Sequence, residues 1–337
     1  MDFPKTRFII RLKEDITNSQ EVIEQFLYRL ARVAGVYKEE ITELNIRKGC
    51  TIVEGYMNRA AIERLYEFYE YLKVNEADTD ELKELQSIIR QFEIEALVDI
   101  PASNEVANFE PLHKNKKVFV LVHGWGGDKE STFGNLPEYL NEQLNIDIES
   151  YPYPSGWLKE SPSVTFIARN LDNWIRNNCQ NCEIGVLGHS LGGLVTRYFA
   201  VIQKHRRISL PIKQITLAAS PTNGAHLASL ATKIPSFSSS QIEELRPNSG
   251  FLVDLNERWS LWCQDNIPNS CLLATMYSLN DKVVSYTSAI GGDNEAIPIY
   301  KEDHISIVKP KTKESEVVLT IVRYAKEAGL QNKKNSH

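Results

Sequence analysis

The chain has 337 residues, 42% apolar and 24% charged, which is the composition of folded globular protein rather than of a disordered or low-complexity chain. That length exceeds what one core usually holds, so two domains are expected. Lys and Arg number 38 against 44 Asp and Glu, and the imbalance lies in front: residues 1–110 carry 14 basic and 22 acidic side chains (−8), the remainder 24 and 22 (+2). An acidic front half argues against nucleic acid as a partner, because phosphate binding needs a basic footprint.

The first ten residues, "MDFPKTRFII", lack a basic start followed by an apolar run and a small-residue cleavage site. No stretch reaches the roughly 18 apolar residues of a membrane span. A cytoplasmic protein is expected, without an integral membrane segment and open only to transient membrane contact. Five cysteines, an odd number, fit a reducing compartment. Cys179 and Cys182 form a Cys-x-x-Cys, but no second pair completes a zinc site, so they are expected to be incidental loop thiols before a strand. No metal and no cofactor are expected.

In chain order, "RFIIRL" is followed by a helix whose apolar residues Val22, Ile23, Phe26, Leu27, Leu30, Val33 and Ala34 recur at three- and four-residue steps. Two short strands are expected around Arg47-Lys48-Gly49. A second amphipathic helix carries Ile62, Leu65, Tyr66, Tyr69 and Leu72, and a third, capped by Thr79 or Asp80, carries Leu82, Leu85, Ile89 and Phe92. This small α/β domain spans 1–95 and holds no paired catalytic groups. The irregular text with Pro101, Pro111 and a basic cluster marks a linker over 96–117.

From 118 to 330 the pattern changes. "VFVLV" is a continuous apolar run, as in strands buried on both faces of a parallel sheet, and similar runs recur at "EIGVLG", "QITLAA" and "CLLATMYS". Helical patterns separate them, notably one with Val164, Ile167, Ala168, Leu171, Trp174 and Ile175 on one face. The fold class expected is α/β, a doubly wound and mostly parallel sheet preceded by the small α/β domain. In such sheets ligands bind at the carboxyl ends of the strands.

Gly188-His189-Ser190-Leu191-Gly192 closes one strand run and opens the helical run "LGGLVTRYFAVI". A Gly-x-Ser-x-Gly in that strand-turn-helix context places a serine on a tight, strained turn, which leaves no room for β-carbons at Gly188 and Gly192. The helix N-terminus then points unpaired amides at a developing oxyanion, and Leu191 N–H becomes one donor. The loop "LVHGWGG" supplies the second, Trp125 N–H, since its His-Gly pair resembles the oxyanion loop of lipases. A serine needs a histidine to accept its proton and a carboxylate to orient that histidine, in the order Ser, acid, His for this topology. His304 is the histidine that fits; His226 comes too early and His337 lies in the polar tail. Asp281, in the turn after Leu272–Tyr277, is the acid, ahead of Asp303, Asp293, Asp254 and Asp265. The expected catalytic set is Ser190, Asp281 and His304, with Trp125 and Leu191 at the oxyanion; His123 and His189 are expected to be structural.

Residues 116–325 resemble an α/β-hydrolase of the lipase-like serine esterase group, near the glycosylphosphatidylinositol-inositol deacylases and the serine-active-site-containing esterases. "VFVLVHGWGG", "GVLGHSLGGLVTRYF", "AASPTNGAHLA" and "YSLNDKVVSYTSA" carry the resemblance, and "DHISIVKP" is similar to the esterases' histidine motif and assigns His304 a second time. The resemblance implies hydrolysis of esters or thioesters, often of acylated lipids. The front domain resembles effector-associated adaptor domains of bacterial signalling and defence proteins, with a family-specific cap or dimerisation module as the alternative; it implies a protein partner. A silent hydrolase scaffold and an acyltransferase with the same triad remain alternatives. The apolar helical stripe Phe251, Leu252, Leu255, Trp259 and Trp262 reads as ordinary core, and the cations from Lys204 to Arg207 as a helix end.

Overall fold

The structure, a computed structural model, describes residues 5–13, 16–17, 19–47, 51–73, 76–100, 112–128, 131–153, 163–205, 209–225 and 243–332. Lys48-Gly49, residues 101–111 of the expected linker, Arg206, Arg207, His226 and His337 lie outside them. The chain divides into two compact units: residues 1–112 with 169–178 and 205–208, and residues 113–168, 179–204 and 209–337.

The first unit runs β1 (Lys5–Leu12), α1 (Gln20–Ala34), β2 (Thr42–Arg47), β3 (Ile52–Asn58), α2 (Arg59–Leu72), α3 (Asp80–Gln91) and β4 (Ile94–Ile100). The strands form one antiparallel sheet in the order β2-β3-β1-β4. Ser19 starts α1 by accepting from Val22 N–H at 3.3 Å, and Gly35 ends it in the left-handed region at φ 71°. Thr79 caps α3 through Leu82 N–H at 3.1 Å. Phe8, Ile10, Leu12, Phe26, Leu30 and Phe92 centre the core, with Phe26 and Phe92 edge to face at 4.9 Å. Tyr66, expected on the buried stripe of α2, is 38% exposed. β4 takes up residues assigned to the linker: an edge strand beside β1 needs only a short run such as "IEALVDI", and Pro101 directly after it disguised that run as loop.

Residues 169–178 supply the unit's buried polar partners. Arg64 pairs with Asp172 at 2.7 Å, their side chains 1% and 0% exposed. Arg169 pairs with Glu81 at 2.8 Å and donates to the Arg32 carbonyl, while Asn173 donates to that of Ala34. Burial alone would raise the Glu81 carboxyl, but the Arg169 charge and hydrogen bond outweigh it and hold it at about 2.

The second unit contains β5 (His113–Lys114), β6 (Lys117–Val122), α4 (Leu136–Leu144), β7 (Asp147–Ser150), α5 (Val164–Asn178, whose residues from 169 group with the first unit), β8 (Cys179–Gln180), β9 (Glu183–His189) and α6 (Leu191–Ile202). Then come β10 (Ile212–Ala218), α7 (Gly250–Asn266), β11 (Leu272–Tyr277), α8 (Tyr286–Ile290), β12 (Ile297–Pro298) and α9 (Glu316–Glu327). Six strands form one parallel sheet ordered β12-β11-β10-β9-β6-β7, while β5 pairs with β8. Phe119 and Leu121 pack with Leu136 and Leu140 of α4 and with Val318 and Ile321 of α9. Val118, Val120 and Val122 alternate to the opposite face and are equally buried, so both faces of the sheet are covered. Cys182 lies in the loop directly before β9, as expected, while Cys179 falls in the two-residue strand β8; both are buried, and burial pushes the Cys179 thiol up. No helix among the described residues is long and apolar enough to cross a membrane.

From β6 the chain steps outward to β7, returns to β9 on the other side of β6, and continues outward through β10, β11 and β12. That reversal opens a crevice at the carboxyl ends of β6 and β9, where open α/β sheets bind ligands.

Candidate active site

Ser190 follows β9 directly and serves as N-cap of α6 at φ 53°, ψ −124°. Its N–H donates to the Ala218 carbonyl and its carbonyl accepts from Gly193 N–H, both at 2.9 Å, so neighbouring backbone holds the strained turn. Close approach dictates the glycines. A β-carbon on Gly192 would lie 2.2 Å from the Val122 carbonyl oxygen, and one on Gly124 would lie 2.8 Å from Ser190 Cβ. The β6 loop and the elbow therefore touch only because both positions lack side chains.

The loops after β11 and β12 bring in the other two groups. His304 Nε2 lies 3.0 Å from Ser190 Oγ, and His304 Nδ1 lies 2.8 Å from Asp281 Oδ2. The Nδ1–H donates to the carboxylate, leaving Nε2 to accept the serine hydroxyl proton. Asp281 is 2% exposed; its Oδ1 accepts from Val283 and Val284 N–H at 2.7 and 2.9 Å. These bonds fix the carboxylate and compensate its burial. Ser278 Oγ donates to the Glu302 carbonyl and ties the two loops together.

The structure thus brings Ser190, Asp281 and His304 into one hydrogen-bonded row, although 91 residues separate the first two and 114 the first and last. Leu191 opens α6, so its N–H has no acceptor inside the helix. Trp125 and Leu191 line one cavity of about 880 Å³ with Ser190 and His304. Leu191, Pro221, Ala225, Leu245, Val283 and Val284 give it an apolar wall. The weighed alternatives are placed otherwise: Asp254 and Asp265 lie in α7, Asp293 follows α8, and Asp303, though it lines the cavity, turns Oδ1 to Ile305 and Ser306 N–H. Among the described residues no group of three or more His, Cys, Asp or Glu is arranged to hold a metal.

His123 braces the end of β6: its ring stacks on Tyr153 at 4.1 Å, and Tyr153 Oη donates to its carbonyl at 2.6 Å. His189 does more than the sequence indicated. Its Nε2–H donates to the His304 carbonyl at 2.7 Å, and its ring lies 5.1 Å from the His304 ring. Burial, reinforced by the nearby His304, pushes it down to about 3, so it is a neutral donor under ordinary conditions. Its adjacency to Ser190 was the available signal, but the bond runs to a carbonyl 115 residues away. The stripe of α7 lies outside the cavity lining; Trp259 and Trp262 stack on each other at 5.1 Å and are buried.

A family model described as "Domain of unknown function (DUF7379)" matches residues 85–234, less than half of the chain. No curated protein matches. Among solved structures, phospholipase PlaB from Legionella pneumophila is 18% identical, with 65% of this chain covering 61% of that one at a TM-score of 0.52. The same enzyme in complex with thio-NAD gives 18% identity, 65% and 59% coverage and a TM-score of 0.54. The mature lipase BlEst2 of Bacillus licheniformis gives 17%, 64% and 96%, with a TM-score of 0.47. This chain spans less than two thirds of the phospholipase. At such identities the likeness is one of fold: the second unit has the α/β-hydrolase fold, and the neighbours are lipases, esterases and a phospholipase.

Proposed function

We propose that the protein is a serine hydrolase of carboxylic esters or thioesters, with acylated lipids as its substrate class. The carrying observation is the row Asp281 Oδ2, His304 Nδ1, His304 Nε2, Ser190 Oγ, with separations of 2.8 and 3.0 Å beside an apolar-walled cavity. Ser190 Oγ attacks the acyl carbonyl as its proton passes to His304 Nε2. Charge collects on the former carbonyl oxygen, stabilised by Leu191 and Trp125 N–H. The tetrahedral intermediate then expels the alcohol or thiol, which leaves with the proton from His304. Water attacks the acyl-enzyme with His304 as base, releasing the acid and restoring Ser190. Asp281 keeps the imidazole in the tautomer with its lone pair toward Ser190 and stabilises the imidazolium.

A fluorophosphonate probe tests the nucleophile: the intact protein is expected to label at Ser190, Ser190→Ala not at all. Equal labelling of both, or of neither, would overturn the assignment. Turnover of nitrophenyl acyl esters with and without added alcohol separates hydrolysis from acyl transfer.

A further inference from the structure

We propose that the cavity over Ser190 selects acyl esters whose alcohol or thiol half carries a phosphate, bound by Lys282 and Lys309. The inference rests on the reading of Ser190 as nucleophile and adds the chemistry of the leaving half. Both lysines line the same cavity as Ser190 and His304. Lys282 directly follows Asp281 and Lys309 lies five positions beyond His304, so each rides on a loop that carries a member of the row.

Neither ammonium is neutralised by the acids nearby. Asp281 commits one oxygen to His304 and the other to the amides of Val283 and Val284. Asp303, the carboxylate that lines the cavity, directs Oδ1 to Ile305 and Ser306 N–H at 2.9 and 2.8 Å. Some other lysines are paired, as in Lys38–Glu24, Lys116–Asp147 and Lys313–Glu142. In a chain of net charge −6, two cations with no ion pair among the described residues stand at one cavity. The cavity also has apolar lining from Leu191, Pro221, Ala225 and Leu245, and Leu279 and Ile305, 68% and 59% exposed, border it. An acyl chain fits the apolar wall, the carbonyl lies at Ser190, and two compact ammonium groups match the double charge of a phosphate monoester.

Binding to the Ser190→Ala protein tests this without turnover. Calorimetry with monomeric octanoylglycerol phosphate and octanoylglycerol is expected to show the phosphate ester binding about tenfold tighter, about threefold per lysine. Lys282→Gln with Lys309→Gln is expected to abolish that preference, and added salt to weaken it. Equal affinities, or a preference that survives the double substitution, would overturn the proposal. Lysine-dependent co-sedimentation with phosphatidic acid–phosphatidylcholine vesicles would support a lipid headgroup as the source. Binding of the monomer with no vesicle binding would support a soluble phosphate ester. If the intact protein fails to label with fluorophosphonate while the preference holds, the nucleophile assignment falls and the anion site stands.

Discussion

At the scale of single residues, the elbow concentrates strain and order in the same few atoms. A non-glycine residue at φ 53°, ψ −124° costs on the order of 1–3 kcal/mol, and Ser190 is held there by the Ala218 carbonyl and Gly193 N–H. The imidazole that must meet its hydroxyl sits on a loop, and His189 holds the backbone of that loop through the His304 carbonyl. On the mechanism proposed above His189 is a positioning residue: its replacement by Leu removes the donor, leaves the part-buried carbonyl without it and lets the ring drift from Oγ. His189→Leu is expected to lower kcat on nitrophenyl esters about 10- to 100-fold with KM little changed, and His189→Gln, which keeps a side-chain N–H, to recover part of the loss. Equal falls for both variants would assign His189 to packing alone. Ser190, Asp281 and His304 were legible because strand-end position and chain order constrain each of them. The work of His189 was not, since nothing local specifies a bond across 115 residues.

At the scale of elements, the strands that read clearly are those buried on both faces. Apolar runs mark β6, β9, β10 and β11, whose boundaries the structure moves by at most two residues. Strand β7, "DIES", lies at the sheet edge with all four residues only half-buried, and β12 is two residues long; neither carries enough apolar sequence to announce itself. Helix α5 was legible from its stripe, whose first residue, Val164, opens the helix; the partner of that first amide was not. Val164 N–H donates at 3.0 Å to Glu244, 80 residues onward. Burial outweighs that bond and raises the Glu244 carboxyl to about 7 from 4.5. The folded chain thus holds this proton more tightly than the unfolded chain, so stability from this site falls as pH rises from about 4.5 through about 7. Glu244→Gln keeps an oxygen for Val164 N–H and removes the titration. It is expected to match the parent's thermal midpoint at pH 4 and to exceed it at pH 8 by the equivalent of about 1–3 kcal/mol. A gain that is the same at both pH values would show that ionisation is not its source.

At the scale of the whole molecule, the sequence points to a cut near residue 95, while the contacts group residues 169–178 with the front of the chain. Composition and motifs change near that cut, but a compact unit is defined by which polar groups need each other in the dark. Arg64 is 1% exposed and its ion-pair partner is Asp172; Glu81 is 1% exposed and its ion-pair partner is Arg169. Arg169→Met in the intact chain removes the ion-pair partner of Glu81 and leaves the carboxyl covered by the same segment. Removing one member of a buried pair costs about 3–5 kcal/mol, a large part of the 5–15 kcal/mol typical of a whole domain. The variant is therefore expected to unfold at a lower thermal midpoint at neutral pH, and Glu81→Gln added to it to restore some of the loss. Acid gives a second signature with a sign of its own. In the parent chain the Glu81 carboxyl is held at about 2 against 4.5 unfolded, so its contribution is complete above about 4.5 and lost as pH falls toward 2. Without the Arg169 charge nothing outweighs desolvation, which raises that carboxyl instead, so lowering the pH through the same range stabilises the Arg169→Met variant by protonating it. Calorimetric scans of the two proteins from pH 6 to pH 3 are expected to move in opposite directions; a variant that loses stability in acid as the parent does would show that Arg169 is not what holds the Glu81 carboxyl down.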